Sequence, residues 1–404
     1  MSPFNSPYPP LQPAFSQLPS DLVSIADYQR YAKEMMHPAV YAYVSGAAAD
    51  CITRRRNRSA FEQMGLVSDV LASFKQPDTQ CGSGGMTLSH PLMLAPVAHQ
   101  ALYDQDAELA TARAAANTQT PMIVSTLASN TLEAIQNASD SPKWFQLYWQ
   151  AQREDNLALL QRAADAGYEA IVITLDAPVT GTRNQADRAG FVLPPDCHPN
   201  LNGHSNLNGH SNLNSHSSLT GASNPALTPL AAGQSPILHG AMAQAPTRED
   251  LIWLRKALPL PLLAKGVMSA RNARTLKEEL GFDGVIVSNH GGRNLDTQPA
   301  TIEALPAIRQ AVGEDYPVLL DSGIRRGTDV FKAIALGADA VLIGRPQAWA
   351  LGVAGETGVT HMLSLLKHEL ELCMALVGCP RLSDANPDFL CALAAHSALE
   401  PHSV

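Results

Sequence analysis

No two of the six cysteines in this 404-residue chain form a CxxC pair. Cys51, Cys81, Cys197, Cys373, Cys379 and Cys391 are scattered, which reads as reduced thiols in a cytoplasmic protein, not as a disulfide frame or a zinc site. No apolar run approaches the roughly 18 residues that cross a bilayer, so no membrane span is expected. Charge is sparse. Lys+Arg 28 against Asp+Glu 37 leaves a net −9, and no basic run or Lys/Arg stripe invites nucleic acid or an anionic membrane surface. The opening MSPFNSPYPPLQPAFSQLPS lacks the basic and apolar regions of a signal peptide, and its Pro/Ser content predicts a disordered tail over 1–20. Finally, no GxGxxG follows the first strand-like run, which argues against a doubly wound dinucleotide-binding sheet.

What is present is apolar and rhythmic. A 45% hydrophobic content is ample for a core, and a barrel can run as one domain to about 400 residues. From Asp21 to about Ala72 the pattern is helical: Leu22, Ile25, Tyr28 and Tyr31 recur at intervals of three, with Ser20 and Asp21 as candidate caps. From about Pro91, short apolar runs alternate with Ala-rich helical stretches. The strand candidates are LMLAPVA, PMIVST, WFQLYW, EAIVITLD, PLLAKG, DGVIVSNH, PVLLDSG and DAVLIGR. Eight such repeats predict an α/β fold, a (β/α)8 TIM barrel over 21–380 with an N-terminal helical segment and a C-terminal tail over 381–404.

One interval breaks the rhythm. After the fourth barrel strand comes HPNLNGHSNLNGHSNLNSHSSL, with His198, His204, His210 and His216 every six residues. Asn, Gly and Ser bury nothing, so a disordered low-complexity loop is expected over 198–224. A histidine repeat could be a metal tract. A repeat expansion in a tolerant surface loop explains it more simply, and no metal site is assigned.

In a barrel, chemistry collects at the C-terminal strand ends. Side chains two apart on a strand point the same way, which pairs Gln146 with Tyr148, Thr174 with Asp176, and Ser288 with His290. Any one of these alone is an ordinary turn former. Three such pairs in register point to a site. The last two strands run into LLDSGIRRGTDV and LIGRP, where glycines, a helix start and arginines suit a phosphate. Lys265, ending LLAKG, suits either a salt bridge with a nearby carboxylate or stabilisation of negative charge on a bound ring system.

The runs IVSNHGGRNLD and PVLLDSGIRRGTDVFKAIALGADAVLIGRP resemble the FMN-dependent 2-hydroxy acid oxidase and dehydrogenase family, which includes glycolate oxidase, lactate oxidase, hydroxymandelate oxidase and mandelate dehydrogenase. VYAYVSGAAAD, LAPVA, FQLYWQ, ITLDAP with Arg183 and Asn184 downstream, and LLAKGV extend the resemblance from about Asp21 to Cys379. It implies FMN as cofactor and oxidation of L-2-hydroxy acids to 2-oxo acids. His290 would be the base that takes the substrate proton as hydride passes to the flavin, and Asp176 would stabilise its imidazolium. Arg183 and Arg293 would hold the substrate carboxylate with Tyr43, and Tyr148 would bond the substrate hydroxyl. FMN would be held by Val97, Ala98, Ser125, Gln146, Thr174, Lys265 and Ser288. Asp321, Gly323, Arg325, Gly344 and Arg345 would hold its ribityl chain and phosphate. The resemblance also implies a homotetramer, and a cover over the site flanked by residues around Phe191 to Pro195 and Gln244 to Leu251.

Two departures from the family pattern stand out. The usual Asp-Gly-Gly is Asp321-Ser322-Gly323 here, and the Ser-Gly of VYAYVSGAAAD sits one residue earlier than in glycolate oxidase when Tyr43 is aligned. Leu127 stands where glycolate oxidase carries a tryptophan, which leaves room for a longer or aromatic substrate. Trp149 is either a wall of that pocket or core. Ala98, together with the polar insertion, favours a soluble oxidase that uses oxygen. The alternative within the family is a dehydrogenase with another acceptor. A catalytically inactive FMN-binding barrel would need a broken site, and here the set is intact. The SNHGGR run also separates the chain from FMN-dependent isopentenyl diphosphate isomerases.

Overall fold

The computed structural model describes residues 7–9, 11–82, 87–194, 197, 199–201 and 233–393. His198, His204, His210 and His216, and nearly all of the 198–224 insertion, lie outside the described residues.

Alternation decides the architecture. In each central strand, successive side chains are buried on opposite faces, and both faces are apolar, as a parallel sheet under helices requires. Among the described residues ten strands form: β1 (Met64–Leu66), β2 (Leu92–Leu94), β3 (Met122–Ser125), β4 (Lys143–Leu147), β5 (Ala170–Thr174), β6 (Leu262–Val267), β7 (Gly284–Val287), β8 (Val318–Leu320), β9 (Ala340–Ile343) and β10 (Leu390–Ala392). Strands β2 to β9 are the eight expected runs, and they close in order into a parallel barrel. Met93, Ile123, Trp144, Val172, Leu263, Ile286, Leu319 and Leu342 fill its interior. Their neighbours, such as Leu92, Val124, Ile171 and Val285, pack outward against the helices. The barrel's floor is met by the Cys81–Leu88 bridge, whose two side chains join the interior cluster.

The N-terminal helical region is three short helices: α1 (Ile25–Met35), α2 (Pro38–Ser45) and α3 (Ile52–Glu62). Helical structure stops at Glu62, ten residues before the expected limit. The cap of α1 is Ser24, which shares reciprocal bonds with Asp27, and not Ser20 or Asp21. Asp21 instead takes the Arg30 guanidinium at 2.7 Å and the Tyr31 hydroxyl at 2.6 Å.

The described parts of both terminal segments make contacts that the expected tails did not include. In the N-terminal segment, Phe15 donates its N–H to the Val353 carbonyl at 2.9 Å and packs edge-on against Tyr31. Aromatic rings give this Pro-rich stretch something to bury, which its Pro/Ser content had hidden. Past residue 380, Arg381 bridges Asp78, and β10 pairs antiparallel with β1, giving the strand β1 a partner far along the sequence.

Candidate active site

A buried polar girdle crosses the barrel mouth. Ser125 Oγ donates to Gln146 Oε1 at 3.1 Å, and Gln146 Nε2 donates to Thr174 Oγ1 at 3.0 Å. The register that places Ser125 beside Gln146 and Thr174 beside Lys265 makes this chain possible. Lys265 Nζ donates to Ser288 Oγ at 2.9 Å and pairs with Asp321 Oδ2 at 3.1 Å. Lys265 is thus ion-paired, as one sequence reading expected, and it also lines the cavity. Burial works to lower its pKa, yet Asp321 and Asp176 outweigh burial and keep the ammonium charged.

Above the girdle sits a histidine. His290 Nδ1 lies 3.1 Å from Asp176 Oδ1, and the Tyr148 hydroxyl lies 3.4 Å from His290 Nε2. An ionised Asp176 fixes the ring tautomer with the proton on Nδ1, leaving the Nε2 lone pair toward the cavity. Burial pushes the imidazole below its ordinary pKa, with Lys265 and Arg293 adding to it and Asp176 opposing. Burial also works to raise the Asp176 carboxyl, but His290 and Lys265 prevail and keep it below the usual range. The ring is thus a neutral acceptor beside a carboxylate that can balance its charge. Backbone strain accompanies this placement: His290 has φ +57 in a Ser288-Asn289-His290-Gly291-Gly292 turn. Asn289 pins the turn by exchanging two amide bonds with Asn57, at 2.9 and 2.8 Å. Sequence reading missed the Asn57–Asn289 pair, because its members are 232 residues apart.

Four arginines converge on the same cavity, which Tyr43, Tyr148, Leu127 and His290 also line. Arg183, Arg293, Arg325 and Arg345 all line it, and among the described residues none is ion-paired to a carboxylate. Arg293 and Arg345 donate to backbone carbonyls at the end of α2, with Arg293 Nη1 on Tyr43 O at 2.7 Å and Arg345 Nη2 on Gly46 O at 2.6 Å. Arg183 Nε is buried without a hydrogen-bond partner among the described residues. Burial, reinforced by Arg183, brings Arg293 down to about 10. Burial with Arg58 brings Arg325 to about 9, and burial with Arg293 and Arg325 lowers Arg345 strongly. Buried cations that repel one another form a site that needs anions.

The observed cavity has two anion-seeking ends. One is the turn after β8 and the start of the helix Arg345–Val377, where Gly344 is the N-cap. Gly323 has φ +95 there, and a side-chain carbon on it would collide with the Asn57 carbonyl. The departure at Ser322 is accommodated: it takes φ +78, its hydroxyl donates to Asp321 Oδ1 at 2.7 Å, and the Gly291 N–H donates to it at 3.0 Å. The other departure, Ser45-Gly46, is also used, since Ser45 Oγ accepts the Trp349 indole N–H at 2.9 Å. The second end holds Arg183 and Arg293 around the Tyr43 ring, 5.6 and 5.1 Å from its centre. A dianionic phosphate fits the first end and a carboxylate the second, with Lys265 and the amide and hydroxyl donors between them for a polar ring system.

The structure brings every expected site residue to this mouth. Val97 and Ala98 line it with the arginines, Lys265 and Asp321, whereas Ser125, Gln146, Thr174 and Ser288 support it from the girdle. Leu127 faces the cavity, but Trp149 packs edge-on against Trp253 and is not among the lining side chains. His99 and Tyr103 also line it and were missed. His99 carries φ +56, a conformation uncommon outside glycine.

Comparison with known proteins agrees with this geometry. The family described as FMN-dependent dehydrogenase matches residues 32–392. The chain is 47% identical over 375 residues to L-lactate oxidase of Alicycliphilus denitrificans, covering 93% of this chain and 98% of that protein. It is 37% identical over 364 residues to glycolate oxidase 3 of Arabidopsis thaliana, with 90% and 94% covered. The crystal structure of a mandelate oxidase superposes with a TM-score of 0.77 at 35% identity, over 92% of this chain and 98% of that one.

Proposed function

The chain belongs to the FMN-dependent dehydrogenase family, and on that premise we propose that it is an oxidase of small L-2-hydroxy acids, with L-lactate the foremost substrate. FMN is its cofactor, 2-oxo acids its products and oxygen its electron acceptor. The observation that carries this reading is the His290–Asp176 pair facing Tyr148 in a cavity where Arg183 and Arg293 lack carboxylate partners among the described residues.

Bound FMN supplies a two-electron acceptor for the substrate's α-carbon. Asp321, Gly323, Arg325, Gly344 and Arg345 would hold its phosphate and ribityl chain. Val97, Ala98, Ser125, Gln146, Thr174, Lys265 and Ser288 would hold its ring, with Lys265 balancing negative charge there. Arg183, Arg293 and Tyr43 would take the substrate carboxylate, a task that suits the planar guanidinium fork. Tyr148 would donate to the substrate hydroxyl, and His290 Nε2 would remove that hydroxyl's proton. As the proton arrives, Nδ1–H donates to Asp176, which offsets the new charge on the ring. Leu127 would bound the substrate's side chain, and its modest size leaves space beyond a methyl group.

Among the described residues, no helix is long and apolar enough to cross a membrane. A cytoplasmic homotetramer completes the proposal, supported by six cysteines that are all free thiols and by the family resemblance. The test is a panel of L-lactate, glycolate, L-mandelate and their methyl esters, scored by peroxide release. Acids should react and esters should not. An ester as fast as its acid would remove the arginines from their assigned role.

A further inference from the structure

A column of aromatic rings runs from the carboxylate end of the cavity out to the N-terminal segment. Phe191 stacks on Tyr43 with ring centres 4.2 Å apart and planes 10° from parallel. Tyr8 stacks on the other partner of this pair, 6.0 Å from Phe191 at 17°. Tyr8 also lies 4.8 Å from the His37 ring, and His37 caps α2, the helix that carries Tyr43, by accepting the Ala39 N–H at 3.2 Å. Its hydroxyl then fastens the neighbouring loop at both backbone groups: it donates to the Val192 carbonyl at 2.8 Å and accepts the Val192 N–H at 2.7 Å.

Phe191 is buried in the core and Leu193 packs against it, but among the described residues few hydrogen bonds hold this loop. Residues 191–194 adopt no regular structure, and Val192 is 52% exposed. Phe191 donates its N–H to Ala186 O at 3.0 Å, but its ring is positioned by stacking. The ring it stacks on, Tyr43, is the one around which Arg183 and Arg293 gather. Tyr8 therefore clamps two elements at once, the cap of α2 and the turn bearing Phe191.

We propose that Tyr8 is a positioning residue for substrate binding, which acts through Val192 and Phe191 to fix the Tyr43 ring in the carboxylate pocket. The proposal rests on reading that pocket as the place where a 2-hydroxy acid carboxylate binds. Because Tyr8 touches neither His290 nor the girdle, its effect falls on binding of ground state and transition state alike. KM should move and kcat should not.

The test uses FMN-loaded full-length protein and the variants Tyr8→Ala, Tyr8→Phe and Phe191→Leu. Tyr8→Ala should raise the KM for L-lactate about three- to tenfold, the size of one lost ring pair, with kcat within about twofold. Oxalate, a probe for the carboxylate pocket read by flavin absorbance, should weaken to the same degree. Tyr8→Phe keeps the ring and should show a smaller rise. Combining Tyr8→Ala with Phe191→Leu should add little to the worse single variant. Amide hydrogen exchange over 189–194 should quicken in Tyr8→Ala and in Tyr8→Phe, with an unchanged melting temperature. Unchanged KM and oxalate affinity, or unchanged exchange over 189–194, would overturn the proposal. If the parent protein is reduced by no hydroxy acid, the functional reading fails instead, and the exchange result still decides whether Tyr8 holds the loop.

Discussion

Removing the imidazole of His290 leaves Asp176 as a buried carboxylate with Lys265 still beside it, so the pocket keeps its charge balance and should keep its flavin. His290→Ala should therefore purify yellow, while the reductive step slows by at least about 10²- to 10⁴-fold, the usual share of a general base. The pH dependence has a definite sign. Burial depresses the His290 pKa, and only the neutral ring accepts a proton, so kcat/KM should fall as pH drops, through a limb below about 6.5, the ordinary histidine value. Asp176→Asn removes the group that raises that pKa, and should shift the limb lower while reducing kcat. Arg183→Lys and Arg293→Lys keep charge but lose the fork, and each should cost about 10- to 100-fold in kcat/KM, the worth of a charged hydrogen bond. Ser322 offers a stability test. Ser322→Ala keeps a side chain at φ +78 and loses both hydroxyl bonds, so it should destabilise by about 1–3 kcal/mol. Ser322→Gly loses the same bonds but relieves the left-handed backbone, and should melt closer to the parent.

At the scale of elements, the strand ends aim the chemistry, and one irregularity does much of the aiming. The β6–β7 register shifts between Lys265 and Val267, at Gly266, which has φ +100. A side-chain carbon there would lie 2.5 Å from Asp176 Cβ. Gly266→Ala should push Asp176 off His290 and lower turnover at least about tenfold, since strained φ and collision act together. This glycine was visible in LLAKGV, but its reason was not, because the collision partner lies in the turn that follows a different strand. The eight barrel strands were legible because both of their faces are buried, so each reads as a short continuous apolar run. Of the polar pairs Gln146/Tyr148, Thr174/Asp176 and Ser288/His290, only Gln146 and Thr174 lie on strands; the others follow the strand ends, and His290 sits at φ +57, so the two-residue period pointed to the strand ends but not to the turns that aim these side chains. The α1 cap, the β1–β10 pair and the Tyr8–Phe191–Tyr43 column were not legible. Their partners are fixed by long-range packing, and a three-residue strand such as Met64–Leu66 carries no periodic signal.

For the molecule as a whole, the unpaired arginines tie folding to the cofactor. Arg293, Arg325 and Arg345 are buried beside one another, so the protein without FMN should be markedly less stable. Ligand present at about 100 times its Kd stabilises by roughly 2.7 kcal/mol. Stripping the flavin should lower the melting temperature, and inorganic phosphate should restore part of the loss by occupying the Arg325–Arg345 end. A loss that phosphate does not touch would place the anion requirement elsewhere. The histidine repeat is a separate matter. Removing 202–219, which lie outside the described residues, should keep turnover within about threefold, because Asn, Gly and Ser offer little to bury. A loss of tenfold or more would give the repeat a function.

The central claim is that this cavity oxidises an L-2-hydroxy acid with His290 as its base. Rapid anaerobic mixing of the yellow protein with L-lactate, followed by flavin absorbance, tests it most directly. The parent should bleach within a single turnover and recover its colour when oxygen is admitted, while His290→Ala stays yellow on that timescale and D-lactate bleaches neither. Bleaching of His290→Ala at the parent's rate, or no bleaching of the parent by L-lactate or any other L-2-hydroxy acid, would contradict it.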